Sequence, residues 1–347
     1  MGNLASYSAL TTKVRAMTNK FITQDQYRTL LSYPNAEAAL DYLKTTKGYE
    51  EALRDLPSSE HHRVNLFHYL SRASYNDYAS IYHFSNQDQR KFLKQYGRRF
   101  ETIMIKRRMN TIFNGGEPEV SQLINKDFFD HYTDLDVDAL FHASSIDGVL
   151  NILKDTPYNK VLSAVAKNPD ASLFEYETAL DQFYFASIWR NKGLMKDKRS
   201  EVIIKEAFGS RFDLLNIMWI SRIHRYYKMN RAEIYATLVP IYYHLTEEEV
   251  EAMVNAPDEE SFRNILKDTY YGRSNKLDLS EDASTIDYTG MVRNILDILA
   301  RQTPYSIATP YRYLYTKEHE ISKLLTALEC VHYQLPVNEA MTIINKM

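Results

Sequence analysis

The sequence predicts an all-α protein, and three observations carry that expectation. Glycine and proline number ten each among 347 residues, too few for a β fold, which needs turn residues every few positions. Apolar residues recur at spacings of three and four, the period of a helix with one buried face. No run alternates polar and apolar residues long enough to require a strand. A fourth observation sets the organisation: one stretch of the chain occurs three times.

The copies run from Asn35 to Tyr49 (NAEAALDYLKTTKGY), from Ser145 to Tyr158 (SIDGVLNILKDTPY) and from Glu260 to Tyr271 (ESFRNILKDTYY). Each is a short apolar-periodic run ending in Leu-Lys, followed by a Thr three residues after the Leu and then a Tyr. The anchoring leucines are Leu43, Leu153 and Leu266, a period of about 110 residues. Other markers keep the step. Leu66-Phe67-His68-Tyr69 returns as Leu173-Phe174-Glu175-Tyr176 and, eroded, as Thr285-Ile286-Asp287-Tyr288. Tyr96-Gly97-Arg98-Arg99-Phe100-Glu101 returns as Phe208-Gly209-Ser210-Arg211-Phe212-Asp213, with Lys317 to Ile321 in the third position. Three related helical modules are therefore expected, at 1–118, 119–232 and 233–347.

Taken in order, Leu10, Val14 and Met17 place one apolar face on a helix from Tyr7 to Lys20. Thr23 and Gln26 form a capping-box pattern that starts a helix carrying Tyr27, Leu30 and Leu31. Pro34-Asn35 breaks it before a short helix from Glu37 to Leu43, and Pro57-Ser58-Ser59 opens a long one from His61 to Tyr82. In the second module, Leu180, Phe183, Tyr184 and Ile188 share a face. So do Phe212, Leu215, Trp219, Ile223 and Tyr226, and Leu214, Ile217 and Met218 widen that stripe toward burial on most sides. Thr246 with Glu249 opens the third module with another capping box. A helix is expected from about Thr316 to Val331, and after the Leu335-Pro336 break a last one starts near Asn338. Residues 114–118 and 273–285 are the clearest connectors.

Charge and composition exclude several classes. The net charge is −3, from 42 basic and 45 acidic residues, so no bulk attraction to nucleic acid is expected. Cys330 is the one cysteine, which rules out an internal disulfide framework and fits a reducing compartment. No run reaches the ~18 to 20 apolar residues that span a bilayer, and no signal-peptide core follows Met1. Gly2 with Ser6 matches the short myristoylation pattern, a match that coincidence explains better. A soluble, intracellular chain is expected. The 27 tyrosines give apolar bulk with polar tips, suited to interfaces and to cores near solvent.

No constellation supports catalysis, a cofactor or a metal. Gly115-Gly116 stands alone, without the spacing of a phosphate-binding loop. Asp134, Asp136 and Asp138 begin like a calcium loop, but Ala139 and Ser145 occupy the positions that need glycine and glutamate. His61 and His62 point about 100° apart on a helix, no HExxH occurs, and Cys330 with His332 gives two ligands where structural zinc takes four. Arg98, Arg99, Lys106, Arg107 and Arg108 form a basic cluster. It reads either as a solvated helix surface or as a docking face for an acidic partner or lipid headgroups. A tripled helical chain without chemistry fits an interaction or mechanical part. The rival is an α-helical scaffold that cradles protein partners in a groove, although solenoid repeats are usually much shorter.

Four stretches carry a family resemblance. Tyr7, Val14-Arg15-Ala16-Met17, Leu30-Leu31 and Leu43-Lys44 with Thr46 resemble the start of the C subunit (called the d subunit in some systems) of V-type and archaeal A-type ATPases. Phe174-Glu175, Glu177, Leu180-Asp181 and Tyr184 look like its second-module helix. Phe212-Asp213, Asn216-Ile217 and Arg222 resemble its D-x-x-N signature, and Lys317-Glu318, Glu320-Ile321 and Leu324-Leu325 its closing helix. Thr111-Ile112 and His332-Tyr333 depart from it, standing where a glycine-containing turn is usual. The resemblance spans nearly the whole chain. It implies a funnel-shaped, pseudo-threefold helical protein with a central hollow, one copy per complex, peripheral on the cytoplasmic face of the membrane. Such a protein sits on the membrane rotor ring and receives the foot of the central shaft, of D- and F-type subunits. It transmits torque, with no nucleotide, cofactor or ion site of its own. Under that resemblance Asp213 and Glu320, with Arg99, Arg211 and Arg222, are expected to brace modules or contact partners. Ion pairs inside single modules are the alternative role for these five.

Overall fold

The computed structural model describes residues 2–57, 59–60, 62–116, 125–227, 229–274 and 288–347. Among these residues every regular element is a helix. The expected all-α class holds. His61, Ser58, and the parts of the sequence markers and connectors at 117–118 and 275–287 lie outside the described residues.

The element order recurs along the chain. After α1 (Gly2–Thr18), which buries Leu10, Val14 and Met17 as their spacing predicts, come two short helices, α2 (Gln24–Leu31) and α3 (Ala36–Lys44), and two long ones, α4 (Arg63–His83) and α5 (Gln87–Phe113). The middle of the chain adds α6 (Lys126–Tyr132) and then a similar order with one more short helix. It has short α7 (Val137–His142), α8 (Ile146–Ile152) and α9 (Pro157–Val165), then long α10 (Leu173–Arg190) and α11 (Lys198–Tyr226). The last third contains α12 (Arg231–Thr237), short α13 (Glu247–Val254), α14 (Glu259–Asp268) and α15 (Tyr270–Arg273), long α16 (Tyr288–Gln302) and α17 (Ala308–His332), and a closing α18 (Val337–Asn345).

Capping residues recur with the helices. A side-chain oxygen on the N-cap accepts one of the amides that a helix start leaves unpaired. Thr23, Asp136 and Thr246 do this for α2, α7 and α13, accepting from Gln26, Ala139 and Glu249 at 3.2, 2.9 and 3.1 Å. Asn35, Ser145 and Asp258 do it for α3, α8 and α14, accepting from Ala38, Gly148 and Ser261 at 2.9, 3.1 and 2.8 Å. The capping boxes expected at Thr23 and Thr246 are present, and Ser172 with Glu175 and Asn230 with Glu233 form two more.

Contacts divide the chain into two compact units. One comprises Met1–Leu93, Glu117–His142 and Leu299–Met347. In it α17 packs against α1, α2, α3, α4 and α18. Its Ile321, Leu324, Leu325 and Leu328 join Leu30, Leu40, Leu43, Leu53, Leu70 and Ile344 in one apolar cluster. The other comprises Lys94–Gly116 and Ala143–Ile298. In it α11 packs against α10, α12 and α14, burying Phe208, Phe212, Ile217 and Ile220 alongside Leu180, Phe262 and Leu266.

Two details depart from expectation. α17 begins at Ala308, about two turns before Thr316. Pro310 lies inside its first turn, where a missing backbone N–H leaves no hydrogen bond unmade. At the other end of the α11 stripe, Tyr226 is 63% exposed rather than buried.

Candidate functional site

The repeated Leu-Lys-x-Thr stretch folds into the same turn each time. A helix leaves its last carbonyls without amide partners, and the Thr hydroxyl satisfies one of them. Thr46, Thr156 and Thr269 donate to the carbonyls of Leu43, Leu153 and Leu266, each at 2.7 Å. The three following tyrosines, Tyr49, Tyr158 and Tyr271, are buried with their hydroxyls in the interior.

Each hydroxyl meets a carboxylate from one of the long helices. Tyr49 donates to Glu320 of α17 at 2.6 Å. Tyr158 donates to Glu101 of α5. Tyr271 donates to Asp213 of α11 at 2.9 Å. These carboxylates are the equivalent positions of the repeated long-helix marker, so two separate sequence repeats interlock in space. Hydrogen bonds to an ionised acceptor are about twice as strong as neutral ones, and burial keeps water from competing for them.

Two of the carboxylates also hold the chain that leads into a short helix. Asp213 accepts the amides of Tyr243, His244 and Leu245 at 3.1, 2.7 and 3.2 Å, just before the Thr246 cap of α13. Glu320 accepts the amide of Ile22 at 2.6 Å, just before the Thr23 cap of α2. Each therefore ties a tyrosine turn and a helix entrance to one long helix. We call this arrangement a clasp.

The clasp at Glu320 contains a buried cation. Lys317, 1% exposed, lies 2.8 Å from Glu320 and 3.9 Å from Asp77 of α4. Its ammonium stands over the Tyr49 ring, 4.1 Å from the centroid. Tyr313 donates to Asp77 at 2.7 Å. A lysine this deep is tolerated only with such partners, because desolvating a lone charge is costly.

Burial, and then the neighbouring carboxylate, raises the pKa of Tyr49, Tyr158 and Tyr271 well above the usual phenol range, so all three remain donors. Burial also raises Asp213, against the opposing pull of the His244 and Tyr243 amides and the Tyr271 hydroxyl. It raises Asp77, against Lys317 and Tyr313. Asp213 is fully buried and surrounded by its own donors, so no substrate atom can reach it. The arrangement holds helices together; it does not transfer protons.

The structure brings two of the five sequence-predicted site residues, Asp213 and Glu320, into clasps. The other three lie on the same class of helix. Arg99 is half-buried on α5 two residues before Glu101. Arg211 is buried, its guanidinium 5.8 Å from the Phe185 ring centroid. Arg222 is exposed near the end of α11, close enough to Tyr288 to act on it electrostatically. Sequence reasoning missed Glu101, the three tyrosine partners, Lys317 as a buried cation, and Asp77. The signal for the first four was present, since Glu101 and the tyrosines occur in the repeated markers.

Two members of the basic cluster on α5 are taken up within the fold rather than left for docking. Arg108 is 2% exposed and donates from Nε to the Ala143 carbonyl at 2.7 Å. Lys106 binds Asp181 at 2.6 Å, and Arg98, Arg99 and Arg107 are half-buried. A long aliphatic stem lets such residues pack inward while the head finds a polar partner. Elsewhere, Asp136 serves as the α7 cap and Asp138 pairs with Lys126. Among the described residues no group of three or more His, Cys, Asp or Glu could hold a metal ion. Cys330 is buried, and burial pushes its thiol up, with Glu329 adding to the effect, which leaves little of the reactive thiolate.

Comparison with known proteins matches residues 10–342 to the model of the ATP synthase (C/AC39) subunit family. The A-type ATP synthase C subunit of Thermococcus kodakarensis is 24% identical over 337 residues, covering 94% of this chain and 86% of that protein. The protein of the same name from Methanosphaera stadtmanae is 21% identical over 333 residues, covering 92% and 82%. That of Thermococcus onnurineus is 28% identical over 193 residues, 54% of this chain and 51% of that protein, so this match spans about half of each.

Proposed function

The chain belongs to the ATP synthase (C/AC39) subunit family, a non-catalytic stalk component, and from that premise we propose that it is the rotor socket of an A/V-type ATPase. In this role it joins the central shaft, of D- and F-type subunits, to the membrane rotor ring and passes torque between them. It sits peripherally on the cytoplasmic face; among the described residues no helix is long and apolar enough to cross a membrane. Its three modules, 1–118, 119–232 and 233–347, are arranged about a pseudo-threefold axis around a central hollow.

The observation that carries this reading is the order in which the clasps connect the chain. Tyr158 of the second module binds Glu101 of the first, and Tyr271 of the third binds Asp213 of the second. Tyr49 of the first binds Glu320 of the third. An open row of modules would leave its first tyrosine and last carboxylate without each other. That order supports the pseudo-threefold arrangement proposed here. Close-packed helical interiors have low compressibility and transmit strain, which suits a coupling part.

Arg222, exposed on α11, and Arg99 on α5 are the positively charged contact candidates, and Asp213, Glu320 and Arg211 brace the modules from within. The test is affinity purification of the tagged chain from native membranes, with identification of what accompanies it. Shaft and ring subunits in fixed ratio are expected. Recovery of the intact ATPase without this chain, or of this chain with unrelated partners alone, would replace the socket by the scaffold reading. Arg222→Glu is expected to weaken association with the complex while leaving the isolated chain folded, as judged by circular dichroism.

A further inference from the structure

A recurring element order supplies its own control, because a feature required by the fold should recur at the corresponding place in each copy. The connections between paired long helices can be compared in this way. Between α4 and α5 the nearby cations are half-buried: Arg90 donates from Nε to the Tyr82 carbonyl at 3.1 Å, and Lys91 binds Asp88 at 3.0 Å. Between α16 and α17, residues 302–307 carry no charge at all.

The connection between α10 and α11 differs from both. From Arg190 to Arg199 it carries five cations, Arg190, Lys192, Lys196, Lys198 and Arg199, against one acid, Asp197. Asp197 is occupied as the N-cap of α11, accepting from the Arg199 amide and the Ser200 hydroxyl, each at 3.0 Å. Lys192 folds back on Trp189, donating to its carbonyl at 3.0 Å with the ammonium 4.7 Å from the ring centroid. Arg190 also donates from Nε to the Ala186 carbonyl at 3.3 Å, and Glu201 beside Val202 pairs with Lys205 at 2.7 Å; Arg190, Lys196, Lys198 and Arg199 are all exposed. Among them stand two exposed aliphatic side chains, Leu194 at 43% and Val202 at 62%. Lys198 and Val202 are four apart on α11 and so share a face.

We propose that this α10–α11 tip is a docking surface for an anionic phospholipid bilayer. Cations interleaved with aliphatic side chains match such a surface on both counts: the charges meet headgroup phosphates, and Leu194 and Val202 enter the boundary with the acyl chains. An acidic protein partner would use the same cations, and the vesicle experiment separates it from a bilayer. The absence of the feature from the other two tips shows that the fold does not require it. The proposal does not rest on the rotor role, since the isolated chain carries the whole surface.

The experiment is co-sedimentation of the purified full chain with vesicles of phosphatidylcholine alone and with vesicles containing phosphatidylglycerol. Binding is expected only to the anionic vesicles and is expected to fall with added salt. Each Lys or Arg near an anionic surface is worth about fivefold in partitioning. The combined variant Arg190→Gln, Lys196→Gln, Lys198→Gln, Arg199→Gln should therefore lose about two orders of magnitude or more. A control with the same charge change elsewhere, Arg28→Gln, Arg54→Gln, Lys160→Gln, Lys267→Gln, should bind like wild type. Leu194→Ser should weaken binding without altering its salt dependence. No binding, equal binding to neutral vesicles, or equal loss in the control would overturn the proposal. So would a tip variant that binds vesicles normally yet detaches from its own ATPase complex, which would assign the tip to an acidic protein instead. Co-purification with the complex tests the rotor role separately from vesicle binding.

Discussion

Tyr271 and Asp213, 58 positions apart in the chain, share a buried hydrogen bond of 2.9 Å, and the oxygen that accepts it also accepts the His244 amide at 2.7 Å. One carboxylate on α11 thereby fastens both the turn after α14 and the segment leading into α13. Glu320 does the same on α17 for Tyr49 and for Ile22 before α2. Glu101 on α5 receives Tyr158. What the three share is a single rule: the carboxylate of a long helix takes the tyrosine that a Leu-Lys-x-Thr turn aims inward.

Removing the hydroxyl tests that rule directly. Tyr49→Phe, Tyr158→Phe and Tyr271→Phe each delete one hydrogen bond to a charged group while keeping the ring. Each is expected to lower stability by about 1.5 to 3 kcal/mol, measured by chemical denaturation. A double-mutant cycle of Tyr271→Phe with Asp213→Asn should give a coupling of about 1 kcal/mol or more. Additive losses would show that the two side chains are neighbours without a shared bond.

Gly209 permits the approach on which the Asp213 clasp depends. A Cβ at this position would stand 2.4 Å from Cγ and 2.7 Å from Cβ of Tyr243, whose amide Asp213 accepts. Gly209→Ala should therefore destabilise by about 1 to 3 kcal/mol, despite alanine's better helix propensity of about 1 kcal/mol. At Gly193 the nearest atom is Glu201 Oε2 at 3.7 Å, so Gly193→Ala should leave the melting temperature nearly unchanged. Similar effects at the two sites would remove the packing explanation.

The threonines carry a graded prediction. Thr46→Val, Thr156→Val and Thr269→Val keep the shape and remove the hydroxyl that satisfies a leucine carbonyl, for about 1 kcal/mol each. Thr269 has a second duty, since its hydroxyl also accepts the Gly272 amide at 3.4 Å at the start of α15. Its variant should lose the most, by a further ~0.5 to 1 kcal/mol for the missing cap. An unfolding series in which Thr269→Val is the mildest would contradict this order.

The helices were largely legible from the sequence because their causes are local. Leu10, Val14 and Met17 lie on one buried face, and the Thr23 and Thr246 capping boxes are where their four-residue patterns place them. The early start of α17 was not legible, because Pro310 reads as a break unless it lies in a first turn. The clasps were half legible. Their tyrosines and carboxylates stand in the repeated markers, but sequence spacing says which positions are equivalent and not which markers meet. The inward turn of Arg108 was also hidden, since its partner is a backbone carbonyl at Ala143, and every residue but none in particular offers one. Asp77 carried no signal, its role depending on Lys317 and Tyr313 from a helix more than two hundred residues away.

Asp77 gives the fold a pH dependence whose sign follows from its surroundings. Burial raises its pKa above the ordinary 3.8, against Lys317, Tyr313 and Lys20, while Glu320 adds to the rise. The folded state therefore holds this proton to a higher pH than the unfolded chain does. Where the native state binds more protons, stability falls as pH rises. The contribution is thus fully present below about 3.8, is lost as pH climbs through the raised value, and is constant above it. Asp77→Asn removes the titrating group, so the variant should gain on wild type across that window. Chemical denaturation of both proteins from acid to neutral pH measures the difference. A gap that widens in favour of wild type as pH rises would mean that the attraction of Lys317 outweighs desolvation at Asp77, and that the buried ion pair, rather than the protonated acid, is the native state of this clasp.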